Sequence, residues 1–170
     1  MAGEIEVRRV LPGEYAEAGE ATARAYREFA PPEMPQWQAY LTRIADVAAR
    51  ASRTVVLVAL VDGVIAGTTT IEVDRHIEDD WRDELEPDQV HVRMLGVDPA
   101  YRRRGVGRAL MHATIALAQE LGRSRVTLET TGQMLAAQQM YESLGFVALG
   151  RREVQQGLTF LSYELRLPEH

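Results

Sequence analysis

Residues 90–121 run VHVRMLGV-DPAYRRRGVGR-ALMHATIALAQEL, an apolar stretch, an Arg- and Gly-rich loop and an amphipathic stretch in succession. The first eight of these are mostly apolar and short enough for one strand. The last part places Val106, Ala109, Leu110, Ala113, Ala116, Leu117 and Leu121 on one helical face. Between them runs a glycine-spaced loop with Arg102, Arg103, Arg104 and Arg108. A strand that feeds a Gly-rich turn at a helix N-terminus makes an anion site. The first helical N–H groups have no acceptor within the helix, and the helix dipole favours negative charge there. Gly105 and Gly107 leave room for backbone approach, and arginine forks suit phosphate oxygens. The residues alone therefore point to a phosphate or pyrophosphate ligand.

Two common phosphate loops fit poorly. A P-loop needs a lysine, and the chain has none. A dinucleotide fingerprint needs a third glycine where Leu110 stands, and residues 98–104 separate the strand from the glycines. What remains is an Arg-x-x-Gly-x-Gly pattern, Arg102 to Gly107, preceded by Leu95-Gly96-Val97-Asp98-Pro99 and followed downstream by Tyr141-Glu142-Ser143-Leu144-Gly145-Phe146. In these residues the chain resembles the GNAT superfamily of acetyl-CoA-dependent N-acetyltransferases.

Composition sets outer bounds. At 170 residues, 46% hydrophobic and 26% charged, the chain suits one globular domain over residues 1–170. A net charge of -6 speaks against a general nucleic-acid binder. The absence of cysteine excludes disulfides, thiolate metal sites and an acyl-cysteine intermediate. No two histidines have metal-ligand spacing, so no metal is expected. The longest apolar run, residues 55–61, is too short to span a bilayer, and the first ten residues lack a signal-peptide core. No membrane partner is expected and the cytoplasm is the default location.

In chain order, residues 5–10 alternate as a half-buried strand, and 15–29 read as a helix stopped by Pro31-Pro32. A second helix starts at Met34-Pro35, with a face of Trp37, Tyr40, Leu41, Ile44, Val47, Ala48 and Ala51. Residues 54–61 and 64–73 form a hairpin about Asp62-Gly63, with Gly67 marking a bulge or a close backbone approach. Residues 74–89 form a loop with seven carboxylates: Glu78, Asp79, Asp80, Asp83, Glu84, Glu86 and Asp88. Residues 125–130 make a strand, 133–144 a helix that stops at Gly145, and 146–152 and 159–165 two closing strands joined through Gln155-Gln156-Gly157. The fold class is α/β (α+β): a mixed central sheet of about seven strands with helices on both faces, in the order β-α-α-β-β-β-α-β-α-β-β. That order is the one the GNAT resemblance implies.

The resemblance also implies chemistry. Main-chain groups of Leu95, Gly96 and Val97 would pair with pantetheine amides, while Arg102, Arg103, Arg104, Gly105, Val106, Gly107 and Arg108 would hold the pyrophosphate of acetyl-CoA. Many relatives carry an Asn where this chain has Met134, so either Gln133 or Gln138 would supply the missing amide or the contact is absent. Tyr141 stands where the family places an acid for the departing thiolate; at helical spacing it also reads as a core aromatic. A general base for the acceptor ammonium would be His91 or Glu129, with Glu72 third. Each also reads structurally: His91 as a packed strand histidine, Glu129 as an ion-paired carboxylate. His76 and His112 read as surface residues. Tyr26, Phe29, Trp37 and Tyr40 are candidates for an aromatic wall at the acceptor site, or are core; the acidic loop around Trp81 would draw in a cation, or is a solvated charge run. The partners implied are acetyl-CoA and a primary amine, and the resemblance allows a homodimer. A CoA-binding sensor without turnover and an NAD-linked reductase are the rival readings.

Overall fold

The computed structural model describes residues 3–29, 35–74, 85–132, 134–154 and 158–168. Glu78, Asp79, Asp80, Asp83, Glu84, Trp81, His76, Pro31-Pro32, Met34, Gln133 and the Gln155-Gln156-Gly157 turn lie outside them. Seven strands form one mixed sheet in the order β1-β2-β3-β4-β5-β7-β6. They are β1 (Ile5–Arg9), β2 (Val55–Val61), β3 (Val64–Glu72), β4 (Gln89–Val97), β5 (Arg125–Thr131), β6 (Val147–Val154) and β7 (Leu158–Arg166). The helices are α1 (Tyr15–Arg27), α2 (Pro35–Ala45), α3 (Val47–Ala51), α4 (Val106–Glu120) and α5 (Leu135–Ser143). Two compact units result: Met1–Ile71 with Met94–Thr114, and Glu72–Arg93 with Ile115–His170.

In the first unit β2 pairs antiparallel with β1, from Ile5↔Val61 to Arg9↔Leu57, and with β3. Asp62 (φ 50) and Gly63 (φ 81) both take the left-handed conformation that a two-residue hairpin requires. All seven residues of β2 are buried. Val56, Val58 and Leu60 pack with Ala18, Ala21, Val47 and Ile65. The β2–β3 register shifts between Ala59↔Gly67 and Leu60↔Ile65, which leaves Ala66 as the extra residue of a bulge. Beside it, a Cβ on Gly67 would lie 2.9 Å from Val106 Cγ1 and 3.0 Å from the Gly96 carbonyl. The bulge and the close approach are therefore both present.

The helix expected to run on to Ala51 is two helices. Its apolar period continues across the break because Ile44 and Val47 are both buried. Asp46 ends α2 and caps α3, its Oδ1 accepting from the Ala49 N–H at 3.2 Å. Arg50, 5% exposed, donates to the carbonyls of Ile44 (2.8 Å), Asp46 (3.2 Å) and Arg43 (3.4 Å), and to Thr70 Oγ1 (3.0 Å). A buried guanidinium thus satisfies carbonyls that the break exposes.

In the second unit β4 and β5 run parallel, from Gln89↔Arg125 to Val92↔Leu128. β7 lies antiparallel to β5 and to β6, with a register shift between Ala148 and Gly150. Arg125 ties the start of β5 to Asp88 (3.0 Å) and to Glu164 on β7 (3.0 Å). α5 is shorter than the expected 133–144 and stops before Gly145 (φ 97).

Candidate active site

The parallel ladder between β4 and β5 stops at Val92↔Leu128, although both strands continue. Two residues on, Met94 takes φ 56, a left-handed conformation rare for a side chain of its kind. The strand then carries its main chain past α1. The Tyr26 hydroxyl donates to the Leu95 carbonyl at 2.9 Å. At Gly96 a Cβ would sit 2.8 Å from Ala25 Cβ, so only glycine permits this approach.

Asp98 anchors the turn that follows. Its N–H donates to the Ala66 carbonyl (2.8 Å). Its carboxylate accepts from the Ala100 N–H (3.0 Å) and from Arg24 Nε (2.9 Å). Pro99–Tyr101 form one short 3-10 turn. Arg103 (φ 65) and Gly105 (φ 84) then adopt left-handed conformations on either side of Arg104. The first bond of α4 runs from the Ala109 N–H to the Gly105 carbonyl at 2.9 Å, so the amides of Val106 and Gly107 have no helical acceptor before them. Val106 and Leu110 are buried, which fixes the direction of α4. Arg103 and Arg104 are exposed, Arg104 with its guanidinium 5.4 Å from the centre of the Tyr101 ring. Left-handed residues ahead of a helix start, with cationic side chains around them, are an arrangement that suits an anion. Arg102 faces elsewhere: it donates to the carbonyls of Ala25 (3.2 Å) and Val97 (3.4 Å) and pairs with Glu28.

Three aromatic residues of the same unit pack on one another. Tyr40 meets Tyr26 (ring centres 6.4 Å apart) and Trp37 (5.7 Å) edge to face, and Arg43 lies over Tyr40 at 5.3 Å. Met94, Leu41 and Ile44 join this cluster. The three rings are half-buried.

The second unit holds the residues expected to move protons. Tyr141 on α5 is 4% exposed, its ring 5.7 Å from Phe146 and 5.9 Å from Tyr163. Burial, and then the neighbouring Tyr163, push its phenol well above the ordinary tyrosine range, so it keeps its proton. His91 on β4 is buried, with Nδ1 2.8 Å from Thr127 Oγ1, which also accepts from Gln89 Nε2 at 2.6 Å. Glu72, buried, pairs with the half-buried Arg93 at 3.0 Å. Glu129 is half-buried on β5 opposite Ser162. Arg93 takes Glu72 and Arg125 takes Asp88 and Glu164. Gln138 donates from Nε2 to the Thr131 carbonyl at 2.9 Å, and the Thr130 hydroxyl points at Met134 sulfur at 3.5 Å. His112 on α4 is exposed. Among the described residues no group of three or more His, Asp or Glu could hold a metal ion.

The family model for the acetyltransferase (GNAT) family matches residues 20–146, most of the chain. The chain belongs to the GNAT family. It is 39% identical over 79 residues to the mycothiol acetyltransferase of Gordonia bronchialis, which is 43% of this chain and 26% of that protein. It is also 39% identical over 59 residues to the ribosomal protein bS18-alanine N-acetyltransferase of Escherichia coli K12, covering 35% and 40% of the two. These matches span less than half of the curated relatives' own length. Among solved structures the fold resembles yncA of Salmonella typhimurium, solved with its cofactor acetyl-CoA. That likeness has a TM-score of 0.70 at 22% identity and covers 98% of this chain and 95% of the other.

The residues expected to hold the cofactor, Leu95 to Arg108, form one continuous stretch within the first unit. Tyr141, His91, Glu129 and Gln138 stand in the second. Reading the sequence missed the contacts that set the loop's base: Arg24 with Asp98, Tyr26 with Leu95, and Arg102 with Glu28. The only trace in the sequence is two basic residues and a tyrosine in the last two turns of an Ala-rich helix, too common a pattern to single out.

Proposed function

We propose that the chain is an N-acetyltransferase that moves the acetyl group of acetyl-CoA directly to a primary amine. The reading is supported by the loop ahead of α4, where left-handed Arg103 and Gly105 precede the amides of Val106 and Gly107. Those donors fit a pyrophosphate, and the exposed Arg103 and Arg104 add charge suited to it. Leu95, Gly96 and Val97 would offer main-chain partners to the pantetheine amides.

The neutral amine attacks the thioester carbonyl carbon. The carbonyl π pair moves to oxygen, then returns as the C–S bond breaks. The sulfur leaves with the proton of the Tyr141 phenol as CoA thiol, and the Tyr141 oxygen regains a proton from solvent before the next turnover. The amine's proton passes to a base. His91, whose Nδ1 is tied to Thr127, is the better candidate, because that contact orients an imidazole that can take up and release a proton. Glu129 is the second candidate. Glu72 is set aside, since its carboxylate is engaged with Arg93. No cysteine is present to carry the acetyl group, which fits direct transfer with donor and acceptor bound together.

Thermal unfolding with acetyl-CoA, CoA, NADH and ATP tests the reading. A ligand at about 100 times its Kd adds roughly 2.7 kcal/mol and should raise Tm by about 5–11 °C. The expected result is a shift with acetyl-CoA and CoA only, followed by thiol release with an amine panel. A shift with NADH or ATP alone would remove the acetyl-CoA reading. CoA binding with no thiol release to any amine would favour a sensor domain.

A further inference from the structure

The first arginine of the Arg-x-x-Gly-x-Gly pattern would ordinarily be counted with the phosphate ligands. In the structure its guanidinium is engaged on the other side. Arg102 Nη2 donates to the Ala25 carbonyl in the last turns of α1 at 3.2 Å. Nε donates to the Val97 carbonyl at the end of β4 at 3.4 Å, and Nη1 meets the Glu28 carboxylate just past the end of α1. A cation over the C-terminal carbonyls of a helix is favoured by both hydrogen bonding and the dipole.

The same end of α1 reaches the loop twice more. Arg24 Nε donates to Asp98 Oδ2 at 2.9 Å, and the Tyr26 hydroxyl donates to Leu95 at 2.9 Å. Gly96 lets this end of the helix come close, because any Cβ there would strike Ala25. Arg24, Tyr26 and Glu28 at this end of the helix, with Arg102 from the loop, thus hold the Leu95 and Val97 carbonyls and the side chains of Asp98 and Arg102. The residues that must turn left-handed, Arg103 and Gly105, follow at once.

We propose that Arg102 is a positioning residue: with Glu28 it clamps the base of the anion loop to the end of α1, and it supports CoA binding without touching phosphate. The proposal rests on the acetyl-CoA reading above. It makes CoA affinity depend on a carboxylate, which electrostatics alone would not expect. Removing a negative charge near a polyanion site should strengthen binding when that charge does nothing else. If Arg102 were a phosphate ligand held back by Glu28, removing Glu28 would release it and strengthen binding further. The clamp reverses the sign.

The test is calorimetric titration of CoA into the wild type, Glu28→Gln, Arg102→Gln and the double variant. Melting curves without ligand would confirm that each is folded; both side chains are partly exposed, at 35% and 44%. The clamp expects Glu28→Gln to weaken CoA binding about two- to fivefold, the range that a partly exposed ion pair carries. It expects Arg102→Gln to weaken binding about tenfold or more, since three interactions are lost, and the double variant to be no worse than Arg102→Gln alone. Tighter or unchanged binding in Glu28→Gln with weaker binding in Arg102→Gln would make Arg102 a direct ligand and overturn the clamp. Unchanged binding in Arg102→Gln, or losses that multiply in the double variant, would overturn it as well. A wild type that binds no CoA would fail the acetyl-CoA reading itself, whereas a wild type that binds leaves the variants to judge the clamp alone.

Discussion

Tyr141→Phe separates chemistry from packing at one buried ring. The residue is 4% exposed and its ring centre lies 5.7 Å from that of Phe146 and 5.9 Å from that of Tyr163, so phenylalanine keeps the shape and the contacts. The expected change in stability is within about 1 kcal/mol. General acid catalysis is worth roughly 10²–10⁴-fold. A thiol with a reference pKa of about 8.5 leaves readily as thiolate, so the low end applies: a fall in kcat of about 100-fold, or about 2.7 kcal/mol. Stopped-flow thiol detection gives kcat, and titration with CoA gives Kd, which should stay near the wild-type value. A second readout follows from protonation. The folded phenol holds its proton above the usual range, while unfolded tyrosine ionises near pH 10. The stability this contributes is complete below about pH 10. It declines as pH rises toward the folded value, by about 1.4 kcal/mol per unit, because only the unfolded state gains by releasing the proton. The phenylalanine variant should lack that part of the alkaline decline. An unchanged kcat would remove Tyr141 from the mechanism. A large loss of stability at neutral pH would make its hydroxyl structural.

Two further outcomes can be checked on the first unit. Gly105→Val places a β-branched side chain at φ 84, a strain of about 1–3 kcal/mol, while nothing lies within 4 Å of the added Cβ. Melting should still show a folded protein, and calorimetry should show CoA affinity down by at least tenfold; normal binding would misplace the loop. Glu14 accepts two bonds of 2.8 Å from Arg8 and one of 2.9 Å from the Leu11 N–H, and the Arg8 guanidinium holds its carboxyl at about 2. Its contribution is complete above the unfolded value of about 4.3 and is lost as pH falls through about 2. With side chains 30% and 19% exposed, solvent screening keeps the effect small. Denaturant midpoints of Glu14→Gln should therefore converge on those of the wild type between about pH 4.5 and pH 2, and parallel curves would refute the pairing.

The parts of this fold that were legible are those governed by local rules. Asp62-Gly63 demanded positive φ at two successive positions, and Gly145 ended its helix for the same reason. The break at Asp46 was not legible, because α2 and α3 keep their apolar residues in phase across it, and the residue that makes the break tolerable, Arg50, reads in the sequence as a surface charge. The pairing of Glu72 with Arg93 hid in the same way: Glu72 reads as a candidate base on its strand, and nothing in the spacing sets Arg93, more than twenty residues on, beside it.

The anion loop shows how far a motif reaches. Its glycines could be read, because a backbone angle such as φ 84 at Gly105 leaves few residues to choose from. Its arginines could not be sorted, because three consecutive guanidinium groups carry the same charge and differ only in what lies beside them. Arg102 meets the Ala25 carbonyl, Arg103 turns left-handed, and Arg104 lies over Tyr101. That difference comes from α1, more than seventy residues earlier in the chain, arriving against Gly96. A residue type at a fixed spacing specifies which ligand class a loop can hold; the contacts that arrive from elsewhere in the chain decide which of its side chains do the holding.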